Sequence, residues 1–144
     1  MVALKPGPIP KQGMPKKGRK RRPVEGPLDR VGFEEAVIRR QMVPGAKKLR
    51  CPVSGELVDR SQIHVHHVYE KWRLRRDGLY HLVWDPRNGI AVWIDVHVRH
   101  HSGVGPAIFR DVLRPCHFEF AAELGEGAVD LIEKNHPERE SSAG

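Results

Sequence analysis

The feature that most constrains this chain is the stretch 63–101, which holds seven of its nine histidines and, in its middle, the segment Trp84-Asp85-Pro86-Arg87-Asn88. Ile63, Val65, His67 and Tyr69 alternate with His64, His66 and Val68, the period-two pattern of a strand. A regular strand sends the adjacent His66 and His67 to opposite faces, so for both to reach one site the strand must end, twist or bulge there. Leu82-Val83-Trp84 then runs into Asp85 to Gly89, where Asn and Gly tolerate unusual backbone angles, and Ile90 to Ile94 form an apolar second strand. Asp95 suits the N-cap of a short helix holding Val96 to His101. In that helix His97 and His101 stand four residues apart, on one face and one turn from each other, and two imidazoles so placed can share a metal ion. The local order is strand, loop, strand, helix, with histidines from the first strand and the helix converging on one place. A metal-dependent phosphodiesterase needs such an arrangement.

The pattern His66-His67, Asn88, His97 and His101, on these elements and in this order, resembles the HNH (ββα-metal, His-Me finger) endonuclease family over residues 49–102. The resemblance implies an α+β fold with a small ββα-metal core. It also implies His66, His97 and His101 as ligands of one divalent metal ion, His67 as general base, and Asn88 as the residue that holds the loop and keeps His67 oriented. The chain departs from the many members that carry two CxxC pairs binding a structural zinc, because Trp93 and Val96 stand where one pair would be; Trp93 is expected to fill that space. Such chemistry suits a phosphodiester, whose hydrolysis builds charge that a divalent cation can neutralise, while a histidine of ordinary pKa, about 6.5, is neutral often enough near pH 7 to take a proton from water. Neutral imidazoles favour Zn²⁺, Ni²⁺ or Mn²⁺, yet the family often uses Mg²⁺, so the metal stays open among the four. Between the helix ligands His100 is expected to point elsewhere, and His64 to lie on the strand face away from His67, both as surface polar groups. By analogy alone, proteins of this type suggest a role in phage or mobile-element DNA processing.

The charge distribution fits a polyanionic partner, double-stranded DNA. Residues 1–27 carry eight Lys or Arg against Glu25 alone, which equals the net +7 of the whole chain. Six prolines, four glycines and little to bury mark this segment as a disordered basic arm. Its cations Lys16, Lys17, Arg19, Lys20, Arg21 and Arg22 are expected to contact phosphates in a salt-dependent way, against the plainer reading of a solubilising or targeting tail. Within 45–102 the balance is +4, and 103–144 carries −4, which argues against a DNA-facing role for the C-terminal part. Lys71, Arg73, Arg75 and Arg76, with Trp72 among them, read as a contact loop, or else as a solvated loop anchored by a buried Trp72. Arg87 adds a further cation beside the turn.

The rest of the chain reads as support. Residues 28–140 form a single domain. Within it, 28–44 is a packing helix whose stripe is Phe33, Val37, Ile38 and Met42, with Glu34 and Glu35 early and Arg39 and Arg40 late. Residues 49–60 form a hairpin or knuckle turning at Ser54-Gly55, and 103–136 form C-terminal helices, one starting at Pro115, packed over the sheet. Cys51 lacks a second thiolate two or three residues on, so it is a small buried residue and no half of a zinc knuckle. No apolar run approaches a membrane span, and prolines at 6, 8 and 10 interrupt any signal-like stretch, so the cytoplasm is the expected location. The competing class is a zinc-stabilised nucleic-acid-binding module, in which the metal is saturated by four protein ligands and His67 is dispensable.

Overall fold

The computed structural model describes residues 23–139, and the basic run 16–22 lies outside them. The described residues form short helices and two small antiparallel sheets. In order these are α1 (Arg30–Gln41), β1 (Leu49–Arg50), β2 (Leu57–Val58), β3 (Ile63–His67), α2 (Lys71–Arg76), β4 (Gly89–Trp93), α3 (Ile94–His100), α4 (Pro115–Leu124) and α5 (Glu126–Asn135). β1 pairs with β2 around the turn anticipated at Ser54-Gly55, where Gly55 takes φ +78°. β3 pairs with β4 in a regular register, Ile63 opposite Trp93 and His67 opposite Gly89, with no bulge.

The β3–β4 hairpin is covered on both faces. On one, Val65 and Ala91 meet Phe33 and Val37 of α1. On the other, Ile90 and Val92 join Leu74, Val83, Val96, Ile108, Phe120 and Ile132 in the larger core. That double burial is why 90–92 is uniformly apolar where a one-faced strand would alternate. The strap connecting α1 to the sheet is polar: the Gln41 amide donates to the Ala91 carbonyl at 2.9 Å and accepts from its N–H at 2.7 Å, which satisfies the open edge of β4. Gly89 is required by close approach, since a Cβ there would stand 2.6 Å from Val37 Cγ2 and 2.8 Å from Phe33 Cζ.

Several local expectations shift. Helix α1 starts one residue after Asp29, whose carboxylate accepts from the Gly32 N–H at 2.8 Å; Glu34 and Glu35 fall beyond its first turn and pair with Arg30 and Arg60. The first strand ends at His67, short of Tyr69, because Asn88 captures the Tyr69 backbone from the side. Residues expected as a contact loop include a helix, α2, and Trp72 is half exposed where burial was one alternative. Asp95 does not cap α3. The strand passes directly into the helix at Trp93, leaving Asp95 inside the first turn, where its charge still suits the dipole. Cys51 is buried as expected, its Sγ accepting from the Trp93 N–H at 3.4 Å; Cys51 and Cys116 are both free thiols. Trp93 is partly buried against the larger core and Val96 lies within it. No helix among the described residues is long and apolar enough to cross a membrane.

Candidate metal centre

His66 is the hub. It sits on β3 opposite Ile90, hence on the hairpin face that meets α3 and the C-terminal helices, and it is 4% exposed. Its Nδ1 lies 3.3 Å from His101 Nε2 and its Nε2 lies 2.9 Å from His136 Nε2. The His97 ring is 5.4 Å away edge-on, and the His100 ring 5.1 Å away. Two overlapping groups of three imidazoles are therefore close enough to hold a metal ion, His66 with His97 and His101, and His66 with His100 and His136.

Hydrogen bonding separates the two groups. His100 Nδ1 accepts from the N–H groups of Ala107 and Ile108, each at 3.1 Å, so its lone pair is already used and its Nε2 carries the proton in the neutral ring. It serves as a cap for the 107–108 backbone and a poor ligand. Among the described residues, no such claim is made on His101 Nε2 except by His66 itself. The 3.3 Å between His66 Nδ1 and His101 Nε2 matches the separation of about 3.3–3.4 Å for two nitrogens each about 2.0–2.1 Å from one tetrahedral zinc. The donor set of His66, His97 and His101 fits a divalent cation that accepts neutral imidazole.

The electrostatics favour neutral rings. Burial, with the neighbouring histidines adding to it, pushes His66 well below the ordinary histidine value and His97 and His100 to about 4; burial lowers His136 as well. Neutral imidazole is the form that binds metal.

His67 points the other way, as regular pairing dictates. Its ring stacks on Phe33 at 4.6 Å, meets Trp84 at 5.5 Å, and its Nε2–H donates to the Val83 carbonyl at 3.0 Å. That bond leaves the lone pair on Nδ1. Because His67 closes the strand, it still lines, with His66, His97 and His101, one open groove of about 580 Å³. Burial lowers its pKa to about 4, which corrects the expectation of an ordinary value: the ring is neutral throughout the physiological range but a weaker base. Asn88, 1% exposed, holds the loop by gripping Tyr69, its Oδ1 accepting from the N–H at 2.7 Å and its Nδ2 donating to the carbonyl at 2.8 Å. It touches the backbone two residues past His67 and not the His67 ring.

His64 does face away from His67, but it is not a bystander: its Nδ1 lies 3.1 Å from His97 Nδ1. His100, expected to point elsewhere, turns into the cluster because positions i, i+3 and i+4 of a helix share one side. The acidic C-terminal part contributes too, since α5 ends by delivering His136. That residue had no local pattern to announce it. The cations are largely paired: Arg73 with Glu70, Arg75 with Glu25, Arg76 with Asp77, and Arg87 with both Asp85 and Glu123. Lys71 sits 5.2 Å over the Trp84 ring and lines the groove, its pKa lowered by burial and by nearby Arg75. The Glu25 carboxylate also accepts from the Trp84 indole N–H at 3.2 Å, so the last residues of the basic segment are tied to the groove wall.

The chain matches no protein-family model, no curated protein and no solved structure.

Proposed function

We propose that this chain is a metal-dependent endonuclease of the HNH type that hydrolyses DNA phosphodiester bonds, with a ββα-metal core at β3, β4 and α3. The observation that carries the reading is the convergence of His66 Nδ1, His101 Nε2 and the His97 ring on the face of a strand–strand–helix unit, in a groove that His67 also lines. His66, His97 and His101 would hold one divalent ion, of Mg²⁺, Mn²⁺, Ni²⁺ or Zn²⁺, and that ion would supply charge neutralisation at a phosphate oxygen and at the leaving oxygen.

The protein's own groups have separate tasks. The Val83 carbonyl fixes the His67 proton on Nε2, so Nδ1 is the atom that takes the proton of the attacking water. Phe33 and Trp84 limit the ring's motion from two sides. Asn88 braces the loop after the strand, and Lys71 at the groove wall gives a cation for the substrate backbone. Trp72, exposed and flanked by the guanidinium groups of Arg73 at 4.4 Å and Arg76 at 5.3 Å, offers an aromatic face to sugar or base. The basic segment 1–27 extends the phosphate contact through Lys16, Lys17, Arg19, Lys20, Arg21 and Arg22.

One observation favours a second reading, the zinc-stabilised nucleic-acid-binding module. His64 lies 3.1 Å from His97 but outside the group of three; in this reading it swings in as the fourth imidazole and closes the metal to substrate. Cleavage of supercoiled plasmid with each of the four metals, comparing the parent with His67→Ala, separates the two. The nuclease reading expects cutting by the parent with at least one metal and its loss in the variant. No cutting with any metal, or equal cutting by the variant, would sink it.

A further inference from the structure

We propose that His136 is a positioning residue that fixes the tautomer of His66 and so selects Nδ1 as the atom His66 offers to the metal. The inference rests on the metal-site reading above and names a residue outside the strand–strand–helix unit.

The argument starts at the far end of the relay. His136 Nδ1 lies 2.7 Å from the Ile132 carbonyl, and a carbonyl oxygen can only accept, so Nδ1 carries a proton. In the neutral ring the lone pair of His136 is then on Nε2. That atom faces His66 Nε2 at 2.9 Å in a buried setting, where one of the two nitrogens must donate. His136 Nε2 has no proton to give, so His66 Nε2–H is the donor and the His66 lone pair falls on Nδ1, the nitrogen turned toward His101. A carbonyl, two imidazoles and a metal position thus form one directed chain. This is the arrangement in which a ligand histidine gives its second N–H to a partner that orients it and raises its basicity.

The same logic places His136 outside the ligand set. If His136 Nε2 were a ligand, His66 Nε2 beside it would have to give up its own proton or turn away, and the third member, His100, has its lone pair bound by two backbone N–H groups. The C-terminal helix therefore completes the centre without coordinating it. His136 is 1% exposed and helix α5 is packed through Ala128 and Ile132, so its Nε2 is held in place by the core.

Two measurements test this on the full chain. In the metal-free parent, long-range ¹H–¹⁵N NMR of the imidazoles should show His136 as the Nδ1–H tautomer and His66 as the Nε2–H tautomer; the reverse for either ring would overturn the proposal. Titration with Co²⁺, read by its visible spectrum, should give one equivalent bound by the parent. His136→Leu should still bind one equivalent, but about 10–100-fold more weakly. His136→Gln, whose amide oxygen can accept from His66 Nε2–H, should recover most of the loss. Unchanged affinity in His136→Leu, or a Gln variant as weak as the Leu variant, would refute the orienting role. Two equivalents in the parent falling to one in His136→Leu would make His136 a ligand and refute it too. Failure of the parent to bind Co²⁺ with the tautomers as stated would instead remove the metal-site reading.

Discussion

Asn88 offers the sharpest structural test, because its side chain is buried and both of its polar atoms serve the same backbone residue. Asn88→Ala leaves the Tyr69 N–H and carbonyl without partners at a site where Asn88 is 1% exposed. An unsatisfied buried backbone group costs about 1–3 kcal/mol, so the pair predicts a loss of about 2–6 kcal/mol. Asn88→Asp keeps the acceptor for the N–H but sets a carboxylate oxygen against the Tyr69 carbonyl. Its folded-state pKa must then rise above the unfolded value, and the sign follows: the variant is least handicapped below the unfolded carboxylate pKa, about 3.9, and loses stability relative to the parent as pH rises through the folded pKa. The assay is urea unfolding of the metal-free chain, followed by tryptophan fluorescence and by circular dichroism, so that metal binding does not enter the result. A change in Asn88→Ala within about 0.5 kcal/mol, the range of an ordinary surface substitution, would show that the clamp is not what holds the 67–69 backbone.

Other perturbations give equally definite outcomes. His117 is locked as a neutral ring, its Nε2–H donating to the Gly89 carbonyl at 2.8 Å and its Nδ1 accepting from the Arg114 N–H at 2.8 Å; burial, with nearby Arg40, His136 and Arg114, lowers its pKa to about 4. Its folded pKa lies below the unfolded value of about 6.5, so its contribution is complete above that value and is lost as pH falls toward 4, by at most about 3 kcal/mol. The difference in unfolding free energy between parent and His117→Gln, measured from pH 7 to pH 4, should shrink accordingly; a constant difference contradicts this. Gly89→Ala drives a methyl into Phe33 and Val37, and should cost about 1–3 kcal/mol and lower Tm in a thermal melt, with unchanged Tm contradicting the close approach. Trp72→Ala should leave urea stability within about 0.5 kcal/mol but weaken binding to a DNA oligonucleotide by about 1–3 kcal/mol in fluorescence anisotropy; equal affinity would remove Trp72 from the interface.

How much of this was readable in advance depended on sequence distance. Strands β3 and β4, the turn at Asn88, the helix bearing His97 and His101, and the helix beginning at Pro115 follow from local rules of period and turn chemistry, whereas the cap expected at Asp95 does not form and the pairing of β3 with β4 is implied only by the family resemblance. The shared side of His97, His100 and His101 is also legible, because three- and four-residue spacings coincide on a helix, against the expectation that His100 points elsewhere. His136 is not. Thirty-five residues separate it from His101, its helix reads as an acidic packing element, and only the docking of α5 on the hairpin brings its ring to His66. The ion pairs that occupy Arg75 and Arg87 are likewise long-range, with partners at Glu25 and Glu123. The depressed pKa of His67 arises from its burial, with Phe33 and Trp84 packed on the ring, and from the nearby charge of Lys71, Arg75 and His97; the packing of Phe33 is a long-range contact that the sequence around His67 does not reveal.

The most direct test is an anomalous-difference map from crystals of the Zn²⁺-loaded chain. The account predicts a single strong peak about 2.0–2.1 Å from His66 Nδ1 and His101 Nε2, with His97 as third protein ligand. A peak bonded to His66 Nε2 with His100 and His136, or a zinc closed by His64 as fourth ligand, would contradict it.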